Sequence, residues 1–282
     1  MADFICKLCG TLFADCDGTD VYRADQPLQI HTLGRFGVWR DGNPLRFASR
    51  GGVPRQQLML ALVLTGGTRG VSRTLILDSL WPHTEGDLAE RSFRTTLYRL
   101  RQILGLDAFQ KTGASLCLNA EAVWVDSAAF EALAGSLIRA IQVQAGAEPR
   151  VIEQALIALR LYEGDFLPDY DTPPITARRE SLRRLFHDLV VRVAEHQIAA
   201  DAVPSALDIY RQGLDRSQPS EQLFQGLLRC HLAMGQFTEG LAAFARCRAF
   251  LLEHFNAQPA AETERLKRAL HRAARTSRAP PP

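Results

Sequence analysis

The sequence contains no apolar run long enough to cross a bilayer. The longest, residues 58–64, is seven residues against the roughly 20 that a membrane helix needs. The first ten residues, MADFICKLCG, lack a basic stretch followed by an apolar core and a cleavage site, so no export signal and no membrane partner are expected. A cytosolic protein follows from that reading, with its six cysteines (Cys6, Cys9, Cys16, Cys117, Cys230 and Cys247) reduced. Three of them lie in apolar or helical patterns and read as small hydrophobes. Also missing are a phosphate-cradling glycine loop, a nucleophile elbow and a His/Glu metal helix. His187, His196, His231 and His254 fall at helical positions without matched partners. An enzyme is therefore not expected, and neither is a cofactor.

The 282 residues, 46% apolar and 23% charged, suffice for two globular domains with separate cores. Formal net charge is only +2, but it is unevenly spread. Residues 1–27 carry two basic and five acidic side chains, residues 28–112 twelve and six, and the remainder nineteen and twenty. The excess of +6 is confined to one segment. A surface that must neutralise phosphates needs such an excess, because counterion release drives non-specific affinity.

That segment opens with strands. From Leu28 to Trp39 apolar residues fall mainly on alternate positions, and Asp41-Gly42 supplies a hairpin turn before Leu45-Arg46-Phe47, predicting a short antiparallel meander. Pro54 suits a first helical position, and Leu58, Ala61, Leu62 and Val63 give an apolar face to a helix ending at Gly66-Gly67. Ser72 caps a second helix bearing Leu75, Leu77, Leu80 and Trp81, which Pro82 stops.

In the stretch DLAERSFRTTLYRLRQIL, residues 87–104, Phe93, Leu97, Leu100 and Leu104 form one buried stripe. Arg91, Arg94, Tyr98 and Arg101 lie on a different face, with Thr95, Arg99 and Gln102 beside them. Arginine, threonine and glutamine both hold phosphates and read base edges, whereas a merely solvated helix mixes in glutamate and lysine. After Gly105, residues 109–118 read as two short strands around a glycine turn, and Val123-Trp124-Val125 extend the apolar pattern. Strands, three helices and a hairpin are the order of a winged helix-turn-helix.

Residues 28–126 resemble the DNA-binding domain of OmpR/PhoB-type response regulators, most clearly in Glu90-Arg91-Ser92-Phe93 and Tyr98-Arg99-Leu100-Arg101. The resemblance implies that the helix around Arg91 enters the major groove of double-stranded DNA, with Arg91, Thr95, Arg99 and Arg101 at the family's contact positions. Arg94 and Tyr98 join them from the helical wheel. The hairpin with Lys111 and Thr112 is implied to approach the minor groove or its phosphates, although it lacks the family's aromatic-rich Gly-Tyr segment. The 27 residues ahead of the first strand are too few for an aspartate-bearing receiver.

The second half is helical and repetitive. Ala206, Tyr210 and Gly213 recur as Gly240, Phe244 and Cys247, and Val190, Val193 and Ala194 recur as Phe224, Leu227 and Leu228, each pair 34 residues apart. That is the tetratricopeptide period, a helix-turn-helix unit that buries its apolar face only against neighbours. Helices over 150–162 and 260–274 are expected to cap the two units. A winged helix followed by such repeats is similar to the SARP-type bacterial regulators, whose second half is the bacterial transcriptional activator domain. Residues 158–168 (ALRLYEGDFLP), 177–182 (ARRESL) and 258–263 (QPAAET) carry that likeness. It implies promoter binding, often to repeated sites, and RNA polymerase as a partner; a homo-oligomer is compatible with it, and no effector is specified.

The fold expected is thus mainly α with a small β part: residues 28–126 a winged helix, residues 127–275 an all-α repeat domain. Residues 1–27 read as a flexible segment or as half of a zinc site built from Cys6, Cys9 and Cys16, to which His31 would add a ligand. Residues 276–282 read as a disordered tail. Two other classes fit less of the sequence: a tetratricopeptide adaptor that binds only proteins, and a winged helix that binds RNA.

Overall fold

A computed structural model describes residues 26–47, 53–143 and 149–278. Cys6, Cys9 and Cys16 lie outside the described residues; among those described, no cluster of His, Cys, Asp or Glu is arranged to hold a metal. The chain divides into two compact units, Met1–Ala132 with Leu161–Leu182, and Leu133–Arg160 with Arg183–Pro282.

In the first unit, β1 (Leu28–His31) pairs antiparallel with β2 (Gly37–Arg40), which pairs with β3 (Asn43–Pro44). The turn between β2 and β3 uses Asp41 and Gly42, both at positive φ, as a tight two-residue hairpin demands. The third strand differs from the expected Leu45-Arg46-Phe47: the turn is so short that pairing is complete by Pro44. Only the Leu45 N–H then reaches back, to the Val38 carbonyl at 2.8 Å. On the other side of β1, β7 (Val123–Val125) pairs in parallel.

Helix α1 (Val53–Thr65) is apolar on nearly every side, with all six residues from Met59 to Leu64 buried. After a short 3-10 turn, β4 (Val71–Ser72) leads into α2 (Arg73–Leu80), capped by the Ser72 hydroxyl, which accepts from Leu75 N–H at 3.2 Å. The residue that α2 buries is Ile76, while Leu75 is exposed. Helix α3 (Gly86–Leu104) buries Phe93, Leu97, Leu100 and Leu104 as the stripe required. The hairpin β5 (Phe109–Thr112) and β6 (Ser115–Leu118) turns at Gly113, φ +62°, and β4 joins its far edge.

The first unit also takes in residues from further along the chain. Helix α4 (Asp126–Val143) begins in the first unit, and residues 163–172 follow α5 (Pro149–Leu161). In that segment Leu167 donates its N–H to the Thr32 carbonyl at 2.8 Å, and Gly34 donates to Asp165 at 2.9 Å. Phe166 and Leu167 are fully buried. The arginine-rich start of α6 (Pro173–Ala199) is structural here. Arg179 donates to the carbonyls of Phe166 and Leu167 at 2.8 and 2.6 Å and also to that of Tyr170, while Arg178 grips Glu131 through two bonds of 2.7 and 2.8 Å. Those bonds hold the Glu131 carboxyl below the ordinary carboxylate range.

In the second unit α6, α7 (Val203–Arg216), α8 (Glu221–Ala233) and α9 (Phe237–Phe255) form the two helical repeats, and all twelve paired repeat positions are buried. Helix α5 is tied in by Arg216, which donates to the Leu159 carbonyl at 2.7 Å. Helix α10 (Ala261–Arg278) closes the other end: the Glu221 carboxylate accepts from Ala260 N–H and the Thr263 hydroxyl, both at 2.6 Å. Residues 276–278 of the expected disordered tail are helical, because α10 continues to Arg278; residues 279–282 lie outside the described residues. Cys230 and Cys247 pack in these helices, and burial pushes their thiols up to about 11 and about 12, where they stay protonated and unreactive.

Candidate nucleic-acid interface

Helix α3 owes its position to its stripe. At about 100° per residue, Phe93, Leu97, Leu100 and Leu104 cover one side and are buried, so Arg91, Arg94, Thr95, Tyr98 and Arg99 are left exposed on the other. Tyr98 is 63% exposed, far from what a core aromatic shows. Asp87 in the first turn and Arg101 in the last match the helix dipole.

The exposed residues form two rows, each lining its own concavity. Arg91, Thr95 and Arg99, one turn apart, border a hollow of about 230 Å³ that Arg55, Gln56 and Trp81 complete. Gln56 Oε1 and Trp81 Nε1 are buried there without a hydrogen-bond partner among the described residues. Arg94, Tyr98 and Arg101 border a wider groove of about 600 Å³, with Arg73 on one side and Lys111, Gly113 and Ala114 of the hairpin on the other. The helical wheel groups Arg91 with the second row; the structure separates them by the crest of the helix.

Two of the groove's cations share one carboxylate: Glu90 accepts from both Arg94, at 3.1 Å, and Arg73, whose guanidinium also lies 5.0 Å over the Phe93 ring. One carboxylate thus orients two cations toward the groove. Arg101 is half-buried, and its Nε has no partner among the described residues. Thr112 is exposed at the end of β5, with its hydroxyl 3.5 Å from Cys117 Sγ.

Arg55 and Arg73 line these two concavities without having been expected there. Arg55 follows Pro54 at the start of α1 and carries a weak local signal. Arg73 has none, because only the pairing of β4 with β6 brings it beside the hairpin. Conversely His31, considered as a zinc ligand, packs between Trp39 and Trp124, with ring centroids 4.7 and 5.3 Å away.

The profile of the bacterial transcriptional activator domain matches residues 125–271 of the chain. Regulatory protein AfsR of Streptomyces griseus is 26% identical over 255 residues, covering 87% of this chain and 25% of that protein. The chain thus spans about a quarter of the length of this curated relative. Among solved structures, that of Mycobacterium tuberculosis EmbR in complex with a low-affinity phosphopeptide is similar in fold. It has a TM-score of 0.63 at 19% identity, over 89% of this chain and 68% of that one. The shared fold is a winged helix joined to helical repeats.

Proposed function

Since the chain belongs to the family of the bacterial transcriptional activator domain, we propose that it is a sequence-specific DNA-binding transcription regulator that acts as an activator. Helix α3 enters the major groove of promoter DNA, and the β5–β6 hairpin lies against neighbouring phosphates. The observation that carries this reading is the two-faced helix, on which basic and hydrogen-bonding side chains stand exposed in two rows opposite a fully apolar stripe. Arginine forks in rows one turn apart suit both guanine edges and phosphates. Arg55 and the unpartnered indole N–H of Trp81 suit a phosphate at the edge of the groove.

Residues 28–126 serve as the DNA-binding part and residues 127–275 as the activator part, with RNA polymerase contact, dimerisation or signal sensing as its task. On this reading the protein acts in the bacterial cytoplasm. Two findings support the reading: the relative from Streptomyces griseus bears the name of a regulatory protein, and no helix of the described residues is long and apolar enough to cross a membrane. A protein-only adaptor draws less support, because it leaves the exposed arginine rows of α3 without a role.

The test is selection of genomic fragments by the purified chain, followed by titration of the enriched and a scrambled duplex over a NaCl series. Expected is a preference for the enriched site and affinity that falls steeply with salt. Equal, salt-insensitive or absent binding to both duplexes overturns the reading.

A further inference from the structure

We propose that α10 presents a second, sequence-independent surface for the DNA backbone, built from Arg268, Arg272 and Arg275. From residue 265 to residue 278 the chain has six basic and no acidic side chains. Thr263, Leu266 and Leu270 are buried, whereas Arg265, Arg268, Arg272 and Arg275 are exposed. At about 100° per residue these four arginines fall within an arc of roughly 80°, on the side opposite the buried residues.

The acidic residues of the first turn are already engaged. Glu262 pairs with Arg265 and, at 3.5 Å, with Arg229; Glu264 pairs with Lys267 at 3.4 Å, and Lys267 also lies 4.6 Å over the Phe244 ring. Arg268, Arg272 and Arg275 have no ion-pair partner among the described residues. Attraction to the helix dipole accounts for cations within the last turn only, which covers Arg275 but not Arg268, roughly two and a half turns from the end. A solvated face ordinarily intersperses glutamate to make i,i+4 pairs, and this stripe has none.

What the stripe does fit is a regular row of anions. Its guanidinium forks match phosphate oxygens in pairs. The rise from Arg268 to Arg275, about 10 Å, equals the advance of about three phosphates of one strand along the duplex axis. An acidic protein surface offers no such regular spacing. The choice of DNA rests on the proposed DNA-binding function, and the experiment separates the two.

The full chain is titrated with a non-specific duplex over a NaCl series as wild type, as R268A/R272A/R275A and as R91A/R99A. Expected for the α10 variant is a slope of log affinity against log salt that is shallower by about 2 to 3, near 0.9 for each phosphate no longer neutralised, and at least tenfold weaker binding at moderate salt. The charge-keeping R268K/R272K/R275K should retain the slope. An R268Q/R272Q/R275Q set replaces the alanines if their melting temperature falls. An unchanged slope in the α10 variants, with R91A/R99A reduced, overturns this inference and leaves the α3 reading standing. The reverse pattern overturns the α3 reading alone, and no change in either overturns both. Intact DNA binding with loss of RNA polymerase capture assigns the stripe to a protein and overturns the inference.

Discussion

Thr32 donates both its backbone N–H and its hydroxyl to Asp126, 94 residues further along the chain, at 2.8 and 2.6 Å. The same carboxylate also accepts from Leu33 N–H at 3.0 Å and Ser127 N–H at 2.7 Å. It ties the first residue of α4 to the end of β1 in one step. Burial raises its carboxyl above the ordinary carboxylate value, against the pull of those bonds. Replacing Asp126 by alanine strands several buried donors at about 1–3 kcal/mol each. D126A is expected to lose about 3 kcal/mol or more in urea unfolding followed by tryptophan fluorescence, with D126N, which keeps one acceptor oxygen, in between. A loss below about 1 kcal/mol refutes this anchoring role.

Acid sensitivity is expected from two histidines. Burial holds His31 and His231 below the ordinary value of 6.5, although Asp126 pulls the first upward and a Gln236 hydrogen bond the second. Folded, they resist protonation; unfolded, they accept a proton near 6.5. As pH falls through 6.5 the unfolded chain therefore binds more protons, and stability drops until the folded pKa values are reached. Above that window the two residues contribute no slope. Thermal melts between about pH 5 and pH 7.5 should show Tm falling toward acid, with a flatter dependence in H31Q/H231Q. An identical slope in that variant removes the two histidines as its cause.

Gly226 of α8 tests the repeat packing. A Cβ there would stand 2.2 Å from the ring of Tyr210, which is only 1% exposed and has no room to retreat. Gly226→Ala is expected to cost about 1–3 kcal/mol through overpacking, read as a lowered Tm. Paired with Tyr210→Leu, the glycine substitution should cost less than it does alone, because the two changes share one space. Additive losses would show that the ring and the glycine are uncoupled.

Much of this architecture can be read locally. The stripe from Phe93 to Leu104, the Ser72 cap, the Asp41-Gly42 turn and the 34-residue recurrence each depend on residues near one another in sequence, and each is present in the structure. What escapes a local reading depends on distant partners. Nothing near Val123 announces a parallel pairing with Leu28. The segment 161–182 looks like part of the helical half because its motif adjoins α5, yet Phe166 bridges Leu33. The arginines of α6 resemble a basic patch until Arg178 and Arg179 are seen bound to Glu131 and to loop carbonyls. Of the candidate residues, Arg94 and Tyr98 follow from the helical wheel and the others from the family resemblance, and the structure leaves Arg91, Arg94, Thr95, Tyr98 and Arg99 exposed on α3. Their separation into two rows is not legible, because it needs the hollow that Arg55 and Trp81 form on one side and the hairpin on the other.

That separation leads to a division of labour on α3. Exposed substitutions there should alter stability by only about 0.5 kcal/mol, so losses in binding can be read directly. A side chain that reads a base should cost about 1–3 kcal/mol on the selected site and little on a scrambled one, whereas a phosphate contact costs both alike. Arg91 and Arg99, beside the unpartnered Trp81 and Arg55, are expected to weaken both duplexes when changed to alanine. Arg94 and Arg101, in the wider groove with Lys111, are expected to weaken mainly the selected one. Glu90→Gln should then act in the opposite sense on scrambled DNA. It removes a negative charge and frees Arg73 and Arg94, so non-specific affinity rises while the ratio of selected to scrambled binding falls. Leu97→Ala and Leu100→Ala instead leave a cavity in the core and should cost about 2–5 kcal/mol of stability. Titrations of each folded variant on both duplexes, with melts alongside, distinguish these patterns. If neither affinity responds to Arg91, Arg94, Arg99 or Arg101 in folded protein, α3 is not the reading helix.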